Sequence, residues 1–109
     1  MQTARLAEIR ARDGNRCSRD GSSGYLHVHH RVRRSQCGTD DPQNLITLCE
    51  ACHRWVHANP YAARRLGLLL RHGEDPELIP VRHFLWPSGQ VWLGPDLTFT
   101  LSGPEPAAA

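Results

Sequence analysis

Apolar positions fall into short runs, each closed by polar or turn-forming residues. In residues 3–12, TARLAEIRAR, Leu6 and Ile9 lie three apart and predict a short amphipathic helix that ends at Asp13-Gly14-Asn15. In residues 25–30, YLHVHH, apolar and polar residues alternate, the period of a half-buried strand. Residues 45–48, LITL, form a second strand candidate. The spacing turns helical from Glu50 to about Ala58. Asn59-Pro60 ends that helix and opens another, with Asn59 as N-cap and Pro60 in the first turn; Gly67 closes it. Beyond it, short apolar runs separated by Pro-Ser-Gly and Gly-Pro-Asp predict a β-meander near residues 68–71, 81–86, 90–93 and 97–101. The tail, 102–109, is expected to be disordered. Residues 33–44, RRSQCGTDDPQN, make a long loop between the two strands, and structureless loops of that length in small domains are often functional.

The elements describe one α+β domain over residues 1–109. At 39% hydrophobic and 6% aromatic, so short a chain buries a limited core and calls for a second stabilising device. The N-terminus has no apolar run, and no segment is long enough to span a bilayer. The expected location is therefore the cytoplasm, with no membrane partner. Thiols stay reduced there, so Cys17, Cys37, Cys49 and Cys52 read as metal ligands rather than a disulfide framework. Net charge is only +2, but all 13 basic residues are arginine. GC-rich coding explains much of that bias. The run HHRVRR, residues 29–34, is still a plausible phosphate-binding patch.

Cys49 and Cys52 have the Cys-x2-Cys spacing of a zinc half-site. Cys17 opens the other turn, CSRDG. Position 20, where a second cysteine would stand, is Asp20, and a carboxylate is an acceptable zinc ligand. Cys37 is the competing fourth ligand. His53 and His57 are i, i+4 on the predicted helix, so both imidazoles can reach one ion. The cysteine pair wraps its metal at the helix start, whereas the histidines project from the helix body. The two pairs should serve different ions.

The order His29-His30, Asn44, Cys49-Glu50-Ala51-Cys52-His53, His57 resembles the HNH endonuclease family, whose fold is the ββα-metal finger. The matching stretch is RDGNRCSRDGSSGYLHVHHRVRRSQCGTDDPQNLITLCEACHRWVH, residues 12–57. The accessory helix and β-rich tail, 60–101, look like small HNH proteins of actinobacterial bacteriophages. The resemblance implies metal-dependent hydrolysis of DNA, leaving 5′-phosphate and 3′-hydroxyl ends. It implies His30 as general base, and His29 and His53, with His57 as a possible third ligand, on one divalent ion (Mg, Mn, Ni or Zn). Asn44 would brace the loop and so orient His30. A structural zinc would sit apart from the active site; here the sequence departs from the family's four cysteines at Asp20. In related phage proteins the partner is the DNA-packaging terminase.

Strand alternation sends His29 and His30 to opposite faces, so one can ligate while the other faces water. His27 shares the His29 face and is a weaker alternative ligand. Neutral imidazole, with a pKa near ~6.5, suits a base at physiological pH. Arg31, Arg33, Arg34 and Arg54 are candidates to hold flanking phosphates. The rival function is a non-catalytic, zinc-stabilised DNA-binding or adaptor module. A third is a nuclease active only with a terminase partner.

Overall fold

The computed structural model describes residues 2–87 and 89–104. Residues 105–109 of the tail expected to be disordered lie outside them. Two antiparallel strands, β1 (Leu26–His30) and β2 (Leu45–Cys49), pair with His29 opposite Ile46 and His30 opposite Leu45. Leu45, Ile46, Thr47 and Leu48 are all buried, which suits the β-branched, apolar run. Helix α2 (Glu50–Ala58) follows β2 without a loop, so strand, strand and helix form a ββα finger. Cys49 is the N-cap of α2 and its sulfur accepts from the Cys52 N–H at 3.4 Å. The arrangement is α+β.

Before the finger, α1 (Thr3–Arg12) buries Ile9 against it. Just past its end, Asp13 is wholly buried. One carboxylate oxygen accepts from the Thr47 N–H at 2.9 Å; the other accepts from Arg12 at 3.0 Å and contacts His83 Nε2 at 3.0 Å. Arg12 also donates to the Pro42 and Leu45 carbonyls, at 2.8 and 2.6 Å. This charged knot joins α1, β2 and the C-terminal segment. Burial would raise the Asp13 pKa, but the bonds from His83 and Arg12 outweigh it and hold the carboxyl below its ordinary range.

After the finger, α3 (Pro60–Arg65) starts on a proline at its first turn. Asn59 stands at the N-cap position without capping, because its side chain donates back to the Trp55 carbonyl at 3.0 Å. Gly67 closes the helix at φ 76, and a Cβ there would lie 2.1 Å from the Pro80 carbonyl oxygen. A second sheet has the order β3 (Val81–Arg82), β4 (Gln90–Leu93), β5 (Phe99–Thr100), all antiparallel. Residues 68–71 are not a strand of it. Leu68, Leu69 and Leu70 are all buried. Their backbone bonds instead to the Ala63 and Arg31 carbonyls. Each leucine contributes about 1.5–3 kcal/mol by leaving water. Strand structure near 81–86 stops at Arg82, because His83 turns inward to Asp13 and Phe84 N–H bonds to the Ser18 carbonyl. The core joins both sheets through Ile46, Leu48, Val56, Leu68, Val81 and Val91. No helix among the described residues is long and apolar enough to cross a membrane.

Candidate metal centres and active site

The turn after Cys17 folds back on itself. Cys17 N–H bonds to the Ser22 carbonyl and Gly21 N–H to the Cys17 carbonyl, both at 2.8 Å. The turn brings Asp20 to the start of α2. One ligand atom each from Cys17, Asp20, Cys49 and Cys52 lies within 4.8 Å of the others. Asp20 Oδ1 accepts from the Ser22 N–H at 3.0 Å and from its hydroxyl at 2.8 Å. Oδ2 is thereby left to face the thiols, 3.4 Å from Cys52 Sγ and 3.8 Å from Cys49 Sγ. Cys37 is not in this group. It is exposed, in a left-handed backbone conformation at φ 66. Three thiols and a carboxylate, oriented by a second layer of hydrogen bonds, fit a four-coordinate structural zinc.

Burial and hydrogen bonding move the groups of this cluster in different directions. Burial tends to raise Asp20, but its bonds from Ser22 and the thiols win and hold it well below the usual carboxylate range. Burial raises Cys17, and pushes Cys52 up to about 12 against the pull of Arg19. Arg19 donates to Cys52 Sγ at 3.5 Å, and its guanidinium stacks 3.8 Å over the Trp55 ring.

The second cluster lies between β1 and the body of α2. One ligand atom each from His29, His53 and His57 falls within 4.8 Å of the others, and His53 and His57 Nε2 are 3.2 Å apart. His29 is 3% exposed, and its Nε2 lies 2.8 Å from the Leu68 carbonyl oxygen. A carbonyl only accepts, so Nε2 carries the hydrogen and Nδ1 keeps its lone pair. Burial, opposed only in part by that bond, lowers His29 to about 3. Burial also lowers His53, as do the charges His57 and His27 would carry. Three imidazoles suit a divalent ion and leave coordination positions open. His27 stays outside the set. Its ring stacks on His53 at 5.1 Å and its Nε2 is buried without a hydrogen-bond partner among the described residues.

The family model for HNH endonuclease matches residues 15–59. They are the HNH-like segment of the chain. Over 45 residues, 41% of this chain, the sequence is 38% identical to the type IV methyl-directed restriction enzyme EcoKMcrA of Escherichia coli (strain K12). The match covers 16% of that protein, so the chain spans a small part of its relative. No solved structure gives a significant match.

Within the HNH segment, His30 occupies the opposite face of β1 from His29. Its Nε2 lies 2.7 Å from Asp40 Oδ1, and Arg34 donates to Asp40 Oδ2 at 3.3 Å. The bond to His30 is the main cause holding the Asp40 pKa down. Asp40 was not among the candidates from sequence; one aspartate in a polar loop carries no periodic or spacing signal. Asn44 is buried in the same loop. Its Oδ1 accepts from the Val32 N–H at 2.7 Å, and its Nδ2 donates to the Val32 and Thr39 carbonyls at 3.1 and 2.9 Å. Both ends of the loop are thus clamped by one amide. Gly38 permits the fold of the loop, since a Cβ there would sit 1.8 Å from the Val32 carbonyl oxygen.

The arginines divide. Arg31 is not available to phosphate, which corrects the expectation that it would hold one. It is fully buried, and it donates to the carbonyls of Gly67, Gln43, Pro76 and Ile79 at 2.7–2.9 Å. Burial lowers its pKa to about 9, so it remains a cation at neutral pH. Its five donors suit several carbonyls converging on one point. Arg34 and Arg54 are exposed and Arg33 is partly so.

Proposed function

We propose that this chain is a metal-dependent HNH endonuclease that hydrolyses DNA phosphodiester bonds. The observation that carries the reading is the gathering of His29, His53 and His57, with His30 following His29 in β1, inside a segment that matches HNH endonucleases. The relative's name as a restriction enzyme supports DNA as the substrate.

His29, His53 and His57 would hold the divalent ion, whether Mg, Mn, Ni or Zn. When bound, that ion offsets charge on the phosphate oxygens and the leaving 3′ oxygen. His30 takes the proton of the attacking water. The water oxygen bonds to phosphorus as the bond to the 3′ oxygen breaks; the departing 3′ oxygen takes a proton from solvent, which leaves 5′-phosphate and 3′-hydroxyl ends. Asn44 acts by holding the loop that faces His30. Arg33, Arg34 and Arg54 offer contacts to flanking phosphates. Cys17, Asp20, Cys49 and Cys52 would hold a structural zinc that pins the start of α2 to the N-terminal turn.

The test is incubation of plasmid DNA with the purified protein and each of Mg2+, Mn2+, Ni2+ and Zn2+. Nicked or linear product in at least one ion is the expected result. Salt-sensitive binding with no cleavage in any of them would contradict it and indicate a zinc-stabilised binding or adaptor module.

A further inference from the structure

The imidazole of His30 is free on one side and engaged on the other. Its Nε2 meets Asp40 Oδ1 at 2.7 Å, at a point where the His30 side chain is 15% exposed and that of Asp40 is 43% exposed. A carboxylate only accepts, so the hydrogen of a neutral His30 belongs on Nε2. The lone pair is then on Nδ1, the nitrogen turned away from Asp40. The carboxylate is held in turn, by Arg34 on Oδ2 and by the Asn44 bond to the carbonyl of the preceding residue, Thr39.

We infer that Asp40 is a positioning residue for His30: it fixes the Nε2–H tautomer, holds the ring in plane and leaves Nδ1 to receive the proton of water. The inference rests on the reading of His30 as general base. An imidazolium formed during the reaction would also be stabilised by the carboxylate, as an aspartate behind a histidine base does elsewhere.

The test uses the full chain and two readouts. Long-range 1H–15N correlations without added divalent ion report the His30 tautomer, and plasmid cleavage in Mg2+ or Mn2+ reports kcat and KM. The wild type should show the Nε2–H form. Asp40→Ala should lose that preference and drop kcat roughly tenfold to hundredfold at little changed KM. Asp40→Asn keeps an acceptor oxygen and should retain more of both. A wild-type proton on Nδ1, or Asp40→Ala with unchanged tautomer and kcat, would overturn the inference. So would equal loss in Ala and Asn variants that both keep the wild-type tautomer, since that marks a loop contact alone. His30→Ala in the same assay separates the two levels. If it cleaves like wild type, the base reading fails; if it is dead while Asp40→Ala is fully active, only the role of Asp40 fails.

Discussion

His29 gives its Nε2 hydrogen to the carbonyl of Leu68, 39 residues further along the chain, at 2.8 Å. The His29 imidazole is therefore oriented by backbone that lies outside the HNH-like segment. Arg31, two residues on, reaches Gly67, Pro76 and Ile79 in the same way. A chain ended after Asn59 would lose all these acceptors and the buried leucines after Gly67. It should fail to fold even with zinc supplied, seen as loss of amide dispersion in an NMR spectrum. A well-dispersed spectrum from residues 1–59 would show that the finger stands alone.

The two ion sites should separate by mutation. If Asp20 is the fourth zinc ligand, as proposed, Asp20→Ala removes it and metal content by native mass spectrometry should fall. Asp20→Cys should restore or exceed wild-type retention. His53→Ala should leave that zinc in place and remove the second ion. Equal zinc loss from Asp20→Ala and His53→Ala would mean that the clusters are one linked site.

Exposed and buried arginines should behave differently. Arg54→Ala should weaken DNA binding and reduce the slope of log affinity against log salt by about 1. Arg31→Ala should leave four carbonyls without their donor and lower stability by about 3 kcal/mol or more, measured by denaturant unfolding. An Arg31→Ala protein of wild-type stability would refute the buried hub.

Much of this was legible in local sequence. Cys49, Cys52, His53 and His57 lie within one turn-and-helix segment, where spacing alone fixes which side chains meet. Asp20 was legible for the same reason, as the residue three after Cys17. Distant pairings were not. Asp13 meets His83 across 70 residues, and Arg31 reads as part of a basic loop until the carbonyls of residues 67–79 pack around it. The run at 68–71 was read as a strand because a short apolar run looks the same whether it is extended or simply covered on all sides.

Asp13 predicts an acid limit. Its pKa is held below the ordinary 3.8 in the folded chain, so its contribution is present above that value and is lost as pH falls through the folded pKa. Wild type should lose more stability than Asp13→Asn as pH falls from neutral into the acid range below the ordinary carboxylate pKa. Both proteins lose metal in acid, so the difference between them in denaturant unfolding is the quantity to measure. An identical decline in the two would remove Asp13 from the explanation.

In the proposed mechanism His30 takes the proton from water beside an ion held by His29, His53 and His57. Single-turnover cleavage of supercoiled plasmid in Mn2+, by wild type and His30→Ala at matched zinc content, tests it most directly. Wild type should cleave and the variant should lose about a hundredfold or more of that rate, with DNA affinity retained. Equal cleavage by the two proteins would contradict it.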